Sequence, residues 1–139
     1  MILIISDYHT KEDKVLELIR KYKPDYTLCC GDGESNESFY LDNNIISVKG
    51  NCDFANLPLV KKLEIENKKI IMVHGHMHNV YFDTFKLYLL AKENGCNIVL
   101  YGHTHQQLVD EYDGVTFINP GALKEGNYAL INENEVILK

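Results

Sequence analysis

The chain has 139 residues, 45% of them apolar, and a formal net charge of −6. That length allows one compact domain over residues 1–139, burying roughly two-thirds of the surface its unfolded chain would expose, and leaves no room for a second. An acidic balance argues against stable nucleic-acid binding, which draws its affinity from Lys and Arg on phosphates, and no apolar run approaches the ~20 residues that span a bilayer. Asp7 ends the first apolar run well short of a signal-peptide core. The four cysteines, Cys29, Cys30, Cys52 and Cys96, follow no C-x-x-C spacing, and two are adjacent inside an apolar run. Reduced thiols and a cytoplasmic location are the expectation.

Ile2–Ser6 is a β-branched apolar run, the pattern of a strand buried on both faces. From Lys11 to Lys21 the residues Val15, Leu18, Ile19 and Tyr22 fall at helical spacing, with Thr10 as N-cap and Pro24 as stop. Tyr26–Cys30 repeats the strand pattern, so the first thirty residues read as a βαβ unit in a parallel sheet. The polar stretch Asp32–Ser38 reads as a loop beside a site. Ile45–Val48, Leu59–Ile65, Lys69–Val73 and Ile98–Tyr101 read as further strands, with a second long helix over Tyr81–Glu93. Leu108–Tyr112, Val115–Ile118, Tyr128–Ile131 and Val136–Leu138 are short strands split by Asp113-Gly114, Gly121, Gly126 and Asn132–Asn134, which predicts hairpins and an antiparallel second sheet. The fold class expected is α/β, with two packed sheets flanked by helices.

The polar residues fall just after the strands. Asp7 and His9 follow the first, Gly31-Asp32 the second, Gly50-Asn51 the third, His74-Gly75-His76 the fifth, and Gly102-His103-Thr104-His105 the sixth. Ligands in α/β sheets bind beyond the carboxyl ends of strands, so these loops can converge on one point. All six histidines lie in or beside them. Carboxylate oxygens with neutral imidazoles suit Mn, Fe, Ni, Co or Zn. Ligands spaced at i and i+2, as in Asp7/His9 and His103/His105, reach the same side of a strand end. Glycines at 31, 50, 75 and 102 keep the backbone slim there. A lone D-x-H is weak, and G-D and G-N are common turn dipeptides. Their joint occurrence in this order is the signal.

The series D-x-H, G-D, G-N-x-D, H-G-H, G-H-T-H resembles the calcineurin-like metallophosphoesterase superfamily, from Asp7 to Ala122. The G-N-C-D and N-P-G-A segments are similar to its compact phosphodiesterase branch, which also includes the retromer scaffold subunit. The resemblance implies a four-layer α/β/β/α sandwich of two mixed sheets. It places Asp7, His9 and His105 on a first divalent metal ion and Asn51, His74 and His103 on a second, with Asp32 bridging. Manganese is the first choice of metal. Two ions about 3.5–4 Å apart can hold a hydroxide for in-line attack on phosphorus.

Many family members carry a histidine after the Asn of the third motif as proton donor to the leaving group; this chain has Cys52. A thiol is a poorer acid at neutral pH, which favours good leaving groups or an acid supplied by His76. Asp53 reads equally as an orienter of the motif or as a turn-capping carboxylate. His76, at i+2 from His74, should face the same cleft, whereas His78 reads as solvated. Ala122 replaces the serine of the family's N-P-G-S loop. Phe39, Tyr40 and Phe54 could line a base or aryl pocket, with packing the default. The leading function is a phosphodiesterase acting on small or nucleotide-like diesters. Phosphomonoester hydrolysis on the same site and a non-catalytic protein-binding scaffold are the alternatives, and an oligomer is compatible with each.

Overall fold

Four consecutive buried aliphatic side chains make strand β1 (Ile2–Ile5), because both of its faces are covered. Ile2 and Ile4 join Leu28, Met72, Leu100 and Ile118 in a core between two sheets. Leu3 and Ile5 turn the other way and pack with Val15, Leu18 and Tyr40. The period-two alternation of a strand thus divides one apolar run between two cores.

The computed structural model describes residues 1–139. After β1 come α1 (Glu12–Tyr22), β2 (Tyr26–Cys29), α2 (Glu37–Asp42), β3 (Ile45–Ser47), β4 (Val60–Ile65), β5 (Lys68–Val73), α3 (Phe85–Glu93), β6 (Ile98–Leu100), β7 (Leu108–Tyr112), β8 (Val115–Asn119), a 3-10 turn (Leu123–Glu125), β9 (Ala129–Asn132) and β10 (Glu135–Leu138). One sheet runs β10-β9-β1-β2-β3 and the other β4-β5-β6-β8-β7. Helices α1 and α2 cover the first sheet, and α3 covers the second through Leu87 and Ala91 against Ile71, Val73, Val99 and Phe117. This is the expected α/β/β/α sandwich.

Both sheets are mixed. β1 pairs parallel with β2 and β2 with β3, while β9 runs antiparallel to β1. In the other sheet β5, β6 and β8 are parallel, and β4 and β7 are antiparallel edges. The expectation of an antiparallel second sheet built from the C-terminal hairpins is therefore corrected. Hairpin β7–β8 completes the second sheet, whereas β9–β10 returns to the first. Turn chemistry specifies each hairpin locally but not which open edge it joins.

Other boundaries shift for local reasons. α1 begins at Glu12 with Lys11 at its cap, and no side chain caps it. Thr10, expected there, is exposed with φ +71°. Glu12 and Asp13 in the first turn with Arg20 and Lys21 in the last complement the helix dipole. Lys23 closes the helix in the left-handed region, its N–H donating to Ile19 O at 2.9 Å, and Pro24 follows. α3 starts at Phe85 rather than Tyr81, because Asp83 Oδ1 accepts from the Phe85 N–H. Helix α2 begins inside the stretch read as loop, taking in its last two residues, Glu37 and Ser38. No helix is long and apolar enough to cross a membrane.

Candidate metal centre

The loops after β1 and β2 stay joined after the strands end. Asp7 N donates to Gly31 O at 2.9 Å, His9 N to Asp32 O at 3.0 Å and Thr10 N to Gly33 O at 2.8 Å. Along this seam Asp7, His9, Asp32 and Glu34 have φ of 54°, 41°, 58° and 59°, and His103 and His105 have 69° and 63°. Residues other than glycine rarely adopt this left-handed conformation, and such strain persists only where surrounding contacts over-determine it. Asp53 supplies those contacts, its carboxylate accepting from the N–H groups of Asp32 (2.8 Å), Glu34 (2.8 Å) and Gly50 (2.7 Å). Asn119 does the same for the histidine loop, donating to Gly102 O at 3.1 Å and Thr104 Oγ1 at 3.0 Å.

Two glycines are fixed by close approach. A Cβ on Gly50 would lie 2.1 Å from Asp32 Oδ1, and one on Gly102 would lie 2.0 Å from Ser6 Oγ and 2.7 Å from Asp7 Oδ2. Any side chain there would displace a carboxylate of the centre.

Asp7 is fully buried. Its Oδ2 accepts from Ser6 Oγ and from the His103 N–H, leaving Oδ1 without a hydrogen-bond partner. Around that oxygen stand three imidazole nitrogens, His105 Nε2 at 3.2 Å, His9 Nε2 at 3.7 Å and His74 Nε2 at 3.8 Å. Asp7, His9 and His105 form one group whose donor atoms lie within 4.8 Å of one another; Asp32, His74 and His103 form a second, and Asp32 also groups with His9 and Cys52. His74 Nε2 is 3.1 Å from Asp32 Oδ2.

The other ring nitrogens are tied outward. His74 Nδ1 meets Cys30 O at 2.7 Å and His9 Nδ1 meets Glu34 Oε2 at 2.8 Å, which turns each Nε2 towards the centre. Both of those Nε2 atoms are buried and unpartnered. Buried polar atoms are normally satisfied, and a cation is a partner that fits all of these atoms at once. The oxygen and nitrogen donors fit a divalent transition ion, and these residues could hold two.

Electrostatics point the same way. Burial favours the neutral acid of Asp32, but the charge of His74, whose Nε2 lies 3.1 Å away, and the Cys52 N–H outweigh it and hold the carboxyl at about 2. Burial alone would lower His74; Asp32 and Asp7 reverse that and raise it. Burial, then the charge of His74, lowers both His103 and His76, keeping them as neutral donors.

The family model for the calcineurin-like phosphoesterase superfamily domain matches residues 1–133. The chain belongs to that superfamily. As a metallophosphoesterase it is 34% identical, over 88% of its length and 67% of the relative's, to a probable metallophosphoesterase of Methanocaldococcus jannaschii. A predicted phosphoesterase from Streptococcus pneumoniae superposes with TM-score 0.84 at 33% identity, covering 92% of this chain and 79% of that one. Vacuolar protein sorting-associated protein 29 of Schizosaccharomyces pombe aligns over 99% of this chain and 80% of its own at 27% identity.

In this metallophosphoesterase, six of the seven expected ligand positions converge as two groups, namely Asp7, His9 and His105, and Asp32, His74 and His103. Asn51 is exposed, and its amide donates to Cys52 Sγ at 3.6 Å. Asp53 proves both orienter and cap, since one carboxylate holds two loops. His76 is half-buried, its ring 5.4 Å from that of His74 and 6.3 Å from that of His103. His78 is half-buried rather than solvated. The Cys52 thiol is pushed up by partial desolvation and by the Asp32 carboxylate. Tyr40 packs in the outer core with Phe39, while Phe54 is 65% exposed. Sequence reasoning missed Glu34; its neighbour Gly33 gave no signal of a carboxylate folding back onto His9.

Proposed function

We propose that the chain is a binuclear metal-dependent phosphodiesterase acting on small or nucleotide-like diesters. Asp7, His9 and His105 would hold one ion, His74 and His103 with Asn51 the other, and Asp32 both. Divalent ions there, manganese foremost, supply charge that activates a water for in-line attack and grips the phosphate oxygens. Asp53 fixes the Asp32 and Gly50 loops, Glu34 aims His9, and His76, beside His74 and His103, would serve the leaving oxygen.

The observation that carries the reading is the set of buried, unpartnered atoms Asp7 Oδ1, His9 Nε2 and His74 Nε2, aimed at one another and satisfied by nothing in the chain. Diesters are favoured over monoesters because Cys52 stands where many relatives place a proton-donating histidine, which suits better leaving groups. Four free thiols fit a reducing, cytoplasmic setting. A protein-binding scaffold is the second reading, favoured by the likeness to the vacuolar sorting protein. A scaffold has no physical need to keep buried carboxylates and imidazoles that cost stability without metal.

Titration with Mn and hydrolysis of bis(p-nitrophenyl) phosphate decide between them. Two equivalents bound and turnover proportional to the second are expected. Binding of fewer, with no turnover, would leave the scaffold standing.

A further inference from the structure

Beside the centre, the start of β4 and the turn after β5 enclose a cleft of about 200 Å³. Leu59, Val60, Val73 and Met77 line it together with His74, His76 and His78. Leu59, Val60 and Met77 are 48%, 42% and 62% exposed, so apolar carbon is left in water directly beside the imidazoles of the donor cluster. Size limits what could cover it. An apolar cavity of about 150 Å³ takes up benzene, whereas drug-sized ligands occupy about 300–1,000 Å³. The space fits one planar ring.

Two of the lining imidazoles, His76 and His78, differ from those aimed at Asp7. His9 and His74 have Nδ1 anchored by Glu34 and by Cys30 O, as rigid metal ligands require. Nδ1 of His76 and of His78 has no partner at all. No hydrogen bond fixes Nδ1 of either ring, so each is free to turn that buried nitrogen towards a ligand. His74 belongs both to the cleft and to the group with Asp32 and His103. A ring in the cleft therefore adjoins the position where a phosphate would meet those donors.

We propose that the cleft is the leaving-group subsite and takes the planar aromatic ring, aryl or nucleobase, of a phosphodiester, with His76 and His78 on the ring's polar edge. This rests on the phosphodiesterase reading and adds what the ester carries.

The Mn-loaded full chain is titrated by calorimetry with phenylphosphonate and with methylphosphonate, which share an anionic head and differ by the ring. The wild type should bind the phenyl compound about tenfold more tightly. Val60→Asp, and separately Met77→Glu in an exposed turn, should bring that ratio near one. Because the ratio is read on one protein sample, partial loss of fold does not mimic the effect. Thymidine 5′-phosphate, titrated in parallel, distinguishes a base held through a sugar from an aryl ester by which affinity the variants lower more. A ratio near one in the wild type, or one that survives both substitutions, overturns the cleft while diester hydrolysis persists. If no diester is hydrolysed and neither phosphonate binds, the phosphodiesterase reading has failed and takes the cleft with it.

Discussion

The two donor groups are held in different ways. In the group of Asp32, His74 and His103, the His74 side chain is fully buried and its Nδ1 is tied to Cys30 O, a backbone carbonyl at the end of a central strand. In the group of Asp7, His9 and His105, the histidine side chains are 22% and 29% exposed, and His9 is aimed by Glu34, itself 31% exposed. A carbonyl at a strand end cannot move without the sheet, whereas a carboxylate on a loop can. One half of the centre is fixed by the fold and the other by a side chain, so the two should respond differently to the same kind of damage.

The harshest way to break that comparison is to remove what the halves share. Asp32 groups with His9 on one side and with His74 and His103 on the other. Asp32→Asn should weaken both equivalents of Mn and lower kcat/KM for a diester by more than about a hundredfold, since losing even an outer partner of a metal ligand costs about 10–100-fold. Calorimetric titration together with steady-state kinetics checks it. Loss of one equivalent with the other intact would assign Asp32 to a single half.

Glu34→Gln sharpens the contrast instead. It keeps the shape of the side chain but removes the charge that fixes the ring of His9 at 2.8 Å. About a tenfold weakening of one Mn equivalent is expected, with the second unchanged, because His74 takes its anchor from the main chain. Equal weakening of both would mean that the halves are not independently supported.

How much of this could be read from the sequence follows the same division. The strand-end motifs supplied Asp7, His9, Asp32, His74, His103 and His105, because ligand spacing and the ends of buried strands are both local patterns. The βαβ start and the two layers were equally local. The supports were legible only in part: the G-N-C-D motif offered Asp53 as an orienter, but neither its reach to the Asp32 loop nor the roles of Glu34 and Asn119 could be read. Glu34, Asp53 and Asn119 act on residues 25, 21 and 17 positions away, through loops whose left-handed conformations no local propensity requires. For the same reason the division of the C-terminal hairpins between two sheets stayed hidden, since the choice lies with the flanks of β1 and β6 that take up β9 and β8, not with Asp113-Gly114 or Asn132–Asn134.

The gentlest test is pH, applied to the metal-free protein. Asp32, held at about 2, lies below its unfolded value, so its contribution to stability is present above about 4 and is lost as pH falls towards 2. His74 is raised, so its contribution is complete below about 6.5 and is lost as pH rises through its folded value. Both contributions coexist only between these limits. Metal-free wild type should therefore exceed Asp32→Asn in Tm by roughly 5 °C near pH 5, with the gap closing towards pH 3 and narrowing as pH rises through the folded value of His74. With Mn present the trend on the alkaline side should reverse, because the proton on His74 must leave before its Nε2 can accept an ion, and the gain in Tm from metal should grow as pH rises. A gap in the metal-free protein that widens steadily as pH rises above the ordinary histidine range would show that His74 and Asp32 do not share a proton-stabilised pair, and that the fixed half of the centre is held by packing and the Cys30 O anchor.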